Sequence, residues 1–235
     1  MSTAPRKRAR PRSATWTVLR KELLLERRVP QVVPAMSLFG VTTLVVFHFA
    51  LRQRAVDGDL AAGVLTTTLL FVSILGINRA FVADREEGGF DAFLLAPVDR
   101  TAMLLAKAAA LLAFLVIVEV VLVPAFVVLL LGPGLSGGEL LTLVALLALA
   151  DVGIAVVGTL VAALAVQTRA RDLIGPLIAL PLLVPLVIGV ARALAPVLSV
   201  GGASGIDARY LAILGLYDLV FGLLAYALFE YLLDD

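Results

Sequence analysis

The stretch MLLAKAAALLAFLVIVEVVLVPAFVVLLL, Met103–Leu131, carries only two charged residues, Lys107 and Glu119. A helix crosses the hydrocarbon of a bilayer with roughly 20 apolar residues, so this run is more than long enough. Working outward from it, five further runs have the same character: Gln31–Leu51, Leu60–Val82, Leu140–Val166, Ile174–Ala191 and Arg209–Leu232. Met103–Leu131 and Leu140–Val166 exceed the required length and are expected to tilt or to protrude. The 235 residues are 61% hydrophobic, with a mean hydropathy of +1.06. An ordinary soluble domain is roughly 45–50% apolar, and so short a chain cannot bury the excess in one water-soluble core. The fold class that follows is all-α: a polytopic membrane protein with six transmembrane helices.

Composition also excludes function classes. There is no cysteine, hence no disulfide and no thiolate metal site. The single histidine, His48, cannot form a histidine metal cluster. No GxxxxGK[ST] stretch occurs, so the chain has no P-loop. If ATP drives it, a separate subunit must bind the nucleotide. The net charge of +1 points to no nucleic-acid partner. No metal and no intrinsically bound cofactor is expected.

Charge distribution sets the orientation. Of the 19 Lys and Arg residues, all but Arg52, Arg54, Arg192 and Arg209 fall on one side of the six spans. Basic short loops stay in the cytoplasm, so both termini are expected there, with the protein in a bacterial-type inner membrane. The N-terminus is basic, but no apolar core follows it directly, so it is not a cleavable signal peptide. Residues 1–30 form a basic tail and an interfacial helix; residues 31–235 form the permease-like domain of six spans. Within SATWTVLRKELLLERR, Ser13–Arg28, the residues Trp16, Leu19 and Leu23 share a helical face, with Arg20, Lys21, Arg27 and Arg28 elsewhere. That pattern suits a helix lying on the inner leaflet; a solvated helix packed on another protein is the alternative.

Between the second and third runs lies DREEGGFDAFLLAPVDR, Asp84–Arg100. Asp84 and Glu87 have capping-box spacing. Gly88 and Gly89 weaken a helix locally, and Pro97 ends one. Phe90, Phe93 and Leu94 recur at i, i+3 and i+4 and make one apolar face. A short cytoplasmic helix is expected, with its apolar side on the bundle and Glu86, Glu87 and Asp91 facing water. Such a helix can dock into a groove on a separate ATPase and carry its closure to the spans. The plain alternative is a polar loop.

Three acids, Glu119, Asp151 and Asp218, fall inside spans. Ionisable groups at that depth are costly and face the bundle interior or water. They line a polar pathway or subunit interface, or else each is a protonated carboxyl bonded to a neighbouring helix. His48, late in the first span, is a candidate haem contact or a neutral hydrogen-bonding group. Pro176, Pro181 and Pro185 in the fifth span remove backbone donors and predict a kinked, well-packed helix. Gly153 and Gly158 in the fourth span predict close helix approach.

The stretch FVADREEGGFDAFLLAPVDRTAMLLAK, Phe81–Lys107, combines a phenylalanine, an acidic cluster, glycine, a short apolar helix, proline and a lysine early in the third span. With LIALPLLVPLVIGVARA, Leu177–Ala193, and GIDARYLAILG, Gly205–Gly215, it resembles the CcmB family, the haem exporter protein B subunits of cytochrome c maturation. The resemblance covers nearly the whole chain from about residue 16. It implies an ABC-2-type permease architecture and a non-catalytic subunit of an ABC-type complex. The implied partners are the ATPase CcmA, which would bind ATP, the membrane proteins CcmC and CcmD, and the haem chaperone CcmE. Haem is the implied cargo. Apart from the resemblance, six spans are half the usual transporter, so a second permease copy or a related partner is expected, and the basic tail Met1–Arg12, outside the family pattern, is a topology signal or a contact with membrane lipid. The ATPase-coupling role falls on Asp84, Glu86, Glu87, Gly88, Phe90, Asp91, Phe93 and Leu94. Two other readings stay open: an ABC-2-type export permease for another amphiphile such as a lipid or drug, and a membrane enzyme. For the enzyme, the acids Asp84, Glu86, Glu87 and Asp91 lack the further paired aspartates and the Gly-x-x-Ala-Arg stretch of membrane phosphotransferases.

Overall fold

In hydrocarbon a backbone must satisfy its own N–H and C=O groups, and a helix does so within one segment. The computed structural model describes residues 11–51, 56–86, 100–132, 135–166, 171–202 and 207–232, and among these all regular structure is helical. The elements are α1 Pro11–Arg28, α2 Val32–Leu51, α3 Gly58–Glu86, α4 Arg100–Phe126, α5 Gly137–Val166, α6 Arg171–Leu194 and α7 Ala208–Leu232. A π-helical turn, Val127–Leu131, continues α4. α2 to α7 are the six helices long and apolar enough to cross a membrane. The protein is an all-α, multi-pass membrane protein, and the spans match the six apolar runs of the sequence.

α3 and α5 form the centre. α3 packs on α2, α4, α5 and α6; α5 packs on α3, α4, α6 and α7. Two thirds of the span in α3 is buried (67%), against 11% in α7, which sits at the edge on α4, α5 and α6. The outward face of α7 is apolar, with Leu216, Leu219 and Leu223 exposed. In water such a face would be a liability; in lipid it is ordinary. Because lipid tails are as apolar as leucine, packing rather than water expulsion holds the helices together. Close approach is therefore decisive. A Cβ on Gly158 would stand 2.7 Å from two Ile77 carbons on α3 and 2.9 Å from Leu111 Cδ2 on α4. Three helices meet at that residue. Gly153 likewise admits α6 and α7, as the sequence suggested.

The helix ends follow local chemistry. Ser136 and Glu139 form a capping box at the start of α5: Ser136 N donates to Glu139 Oε2 at 2.7 Å, and Glu139 N donates to Ser136 Oγ at 3.3 Å. Asp207 Oδ1 accepts from Arg209 N at 2.9 Å and caps α7. α6 runs from Arg171 to Leu194 with all three of its prolines inside. The Tyr217 hydroxyl on α7 donates to Leu182 O at 2.7 Å, one turn before Pro185. This bond ties α6 to α7 within the proline-bearing stretch.

One expectation is corrected. Asp84 was expected to cap a new helix, but α3 continues through Asp84 to Glu86, since no breaker lies between Asn78 and Gly88. A π-helical turn ends the third run. Pro124 lies just ahead of it, and Gly132, at φ 78°, closes it by donating to Val127 O at 3.2 Å.

Substituting Gly158→Val should lower stability by about 1–3 kcal/mol, the usual cost of overpacking. Gly63 on α3 has open space where a Cβ would stand, so Gly63→Ala should be neutral or better. Thermal unfolding in detergent checks both.

Candidate functional site

Antiparallel neighbours place the α1–α2, α3–α4 and α5–α6 junctions at one end of the bundle, the end rich in basic residues. α1 lies there against α4. Its seating differs from the face predicted. Val18 and Glu22 are buried, Leu19 and Leu23 are half-buried, and Trp16 is 63% exposed. The helix thus turns a valine and a carboxylate inward and leaves its tryptophan free to meet headgroups.

A buried carboxylate needs a partner, and Glu22 has one. Lys107 Nζ donates to Glu22 Oε1 at 2.9 Å, with the side chains only 3% and 10% exposed. Lys21 Nζ stands 3.6 Å from the same oxygen. One turn on, Glu26 uses both oxygens on the start of α2: Val33 N donates to Oε1 at 2.8 Å and Val32 N to Oε2 at 3.2 Å. A carboxylate at a helix N-terminus also meets the positive end of the helix dipole. Glu22 and Glu26, i and i+4 on α1, therefore fasten it to α4 and α2. Sequence reasoning assigned neither glutamate a role. The available signal was the E-x-x-x-E spacing in KELLLER, Lys21–Arg27, two acids one turn apart in a basic helix.

The segment predicted to couple to an ATPase joins α3 to α4 in the sequence. α3 ends at Glu86 and α4 starts at Arg100. Asp84 and Glu86 belong to the last turns of α3, while Glu87, Gly88, Phe90, Asp91, Phe93 and Leu94 lie outside the described residues, as does the basic tail through Arg10. Lys107 lies two turns into α4, directly downstream of that segment.

In mid-bundle, Glu119 lies on α4 and Asp151 on α5, two helices that pack together. Asp151 is fully buried. Neither of its carboxyl oxygens, nor Glu119 Oε1, has a hydrogen-bond partner among the described residues. Asp218, grouped with them from the sequence, is placed differently. Its Oδ1 would be 2.5 Å from a Cβ on Gly153, and Gly153 points about 200° around α5 from Asp151. Both Asp218 oxygens also lack partners. No group of three His, Cys, Asp or Glu able to hold a metal ion occurs among the described residues.

At the opposite end, His48 Nδ1 donates to Leu129 O in the π-helical turn, and its ring meets Phe49 edge-on at 5.2 Å. Leu130 O accepts from Val56 N at 2.8 Å. The turn thus offers two carbonyls to α2 and to the segment leading into α3.

Reversing one partner of the α1 clamp, Glu22→Lys or Lys107→Glu, should cost about 3–5 kcal/mol, the range for an uncompensated buried charge. The double swap should recover most of it. Limited proteolysis at the α1–α2 junction and thermal unfolding both report the outcome.

A family model described as CcmB protein matches residues 13–229. Among curated proteins, heme exporter protein B of Rhodobacter capsulatus is 34% identical over 148 residues, 63% of this chain and 66% of that relative. The aligned stretch is thus slightly less than two thirds of the relative's length. The family match takes in α1 from Ser13 onward, both clamp glutamates, Lys107 and all six spans: the chain belongs to the CcmB family.

Proposed function

We propose that this protein is the permease subunit of an ABC-type complex that exports or delivers haem during cytochrome c biogenesis. Family membership over residues 13–229 carries the reading; the curated relative is a heme exporter protein B. The absence of a P-loop from the sequence agrees with ATP hydrolysis on a separate CcmA-type ATPase, this chain being non-catalytic. CcmC, CcmD, the chaperone CcmE and a second permease copy are the further partners of the reading. The protein sits in the cytoplasmic membrane with its basic end, and both termini, inside.

The mechanism follows from where the charges and fasteners lie. In this reading ATPase closure acts on the segment between α3 and α4, which carries the acidic residues of the proposed contact. The displacement enters α4 at Arg100 and reaches Lys107 two turns later. There the ion pair with Glu22 passes it to α1, and Glu26 passes it on to the start of α2. Haem is cargo of the complex rather than a resident cofactor of this chain.

A haem stain of membranes on a denaturing gel reports covalently bound haem only, and so c-type cytochromes. Deleting the gene should remove those bands, and complementation should return them. Bands that persist would shift the reading to export of another amphiphile. For the coupling segment, Glu86→Lys with Glu87→Lys should leave membrane insertion intact and abolish ATP-dependent output; normal output from that variant would count against the segment as the ATPase contact.

A further inference from the structure

Both acids of α1 are engaged with the bundle: Glu22 holds Lys107, and Glu26 takes the first amides of α2. The opposite side of the helix carries the reverse charge. Counted at about 100° per residue from Glu22, the residues Trp16, Arg20, Leu24 and Arg27 fall within an arc of about 80° facing away from it. All four are exposed, and so is Arg28, next in sequence. Lys21 reaches inward to Glu22, but no acid pairs with Arg20, Arg27 or Arg28 among the described residues.

The level at which α1 is held narrows what this outer face meets. Lys107 lies six residues inside the span Thr101–Leu131, about 9 Å along α4. Val32 and Val33, which donate to Glu26, open the span Val32–Leu51. Both fastenings of α1 therefore grip the first turns of spans, where hydrocarbon gives way to headgroups. A tryptophan ring favours that layer. Arginine stems lie along apolar surface and carry the charged head to the phosphates, and a planar guanidinium binds two phosphate oxygens at once. Three cations without an acid favour lipids of net negative charge; a zwitterionic headgroup brings its own cation to the same phosphate and gains less. The acidic surface of a soluble partner would match the arginines, but it would not account for exposed Trp16 and Leu24 at the level of the spans.

We propose that the outer face of α1, made of Trp16, Arg20, Leu24, Arg27 and the adjoining Arg28, is a binding surface selective for anionic phospholipid headgroups. The bundle and the lipid then hold opposite sides of one helix, the first through carboxylates and the second through arginines. This selectivity requires only that the six spans lie in a bilayer; it holds whatever the cargo.

Trp16 is the only tryptophan of the chain, so its fluorescence reports on this face without a label. The full chain is reconstituted in vesicles of equal parts phosphatidylcholine and phosphatidylglycerol, with brominated acyl chains on one lipid at a time. Bromine quenches tryptophan on contact, and the ratio of the two quenching levels shows which lipid surrounds Trp16. Brominated phosphatidylglycerol should quench severalfold more, each arginine near an anionic surface being worth about fivefold, and the excess should shrink as salt is raised. Combining Arg20→Gln, Arg27→Gln and Arg28→Gln should bring the ratio down towards one, while the three Arg→Lys replacements should keep most of it. The basic tail is the same in all of these chains, so the loss belongs to α1. Equal quenching by the two lipids in the wild type would overturn the proposal, as would an excess that the triple glutamine variant retains. Absence of quenching by either lipid would mean that the face meets water or another protein, and would overturn it too. Should the glutamine variant fail to fold, the salt series on the wild type decides: an excess indifferent to salt is not one made by arginines on charged headgroups.

Discussion

Hydrocarbon offers no hydrogen bonds, and that constraint organises this protein. Six helices satisfy their backbones internally, and the buried hydroxyls of Thr66, Thr68, Ser73 and Thr159 donate to carbonyls four residues back on their own helices; the charged side chains of the described residues lie mostly toward the two ends of the bundle. The exceptions are informative because each is expensive. Lys107 is buried but meets Glu22. The carbonyls of the π-helical turn leave the regular helical pattern but meet His48 and Val56. The turn before Pro185 meets Tyr217. Only the mid-bundle carboxyl oxygens of Glu119, Asp151 and Asp218 stay unmatched among the buried side-chain atoms of the described residues.

The same constraint explains what the sequence discloses. A span is a matter of length and hydropathy, both local, so all six were legible, and their ends fall within a few residues of those predicted. The SGGE cap of α5 and the Asp207 cap of α7 are local too. α3 outran its predicted end because its polar tail, NRAFVADRE from Asn78 to Glu86, contains no breaker; a change in hydropathy marks where lipid stops, not where a helix does.

Rotational phase and long-range pairing are not local, and these account for the misreadings. The Glu22–Lys107 bond joins residues 85 apart. Its existence depends on α1 turning its Val18–Glu22 stripe to α4 rather than the Trp16 stripe to the bundle. In the same way, three acids inside spans looked like one set. Their partition depends on which side of α5 each neighbour occupies, with Asp218 against Gly153, about 200° around the helix from Asp151. The π-helical turn, written in valine and leucine alone, has no distinguishing composition; it shows itself only through the partners its carbonyls find.

α4 is anchored near both ends, by Lys107 at one and by the carbonyls of Leu129 and Leu130 at the other. A strut held in this way cannot slide along its axis without breaking a fastening. It can bow, or it can drag its attachments along. Bowing is easiest where a backbone bond is already missing, and Pro124 places that weak point beside the far anchor rather than in the middle. The longer arm of α4, from Arg100 to the proline, therefore acts as a stiff lever with its fulcrum at the π-helical turn. A small push at the fulcrum end would be enlarged at the basic end, and a push at the basic end would be reduced in amplitude and raised in force where Leu129 and Leu130 meet His48 and Val56.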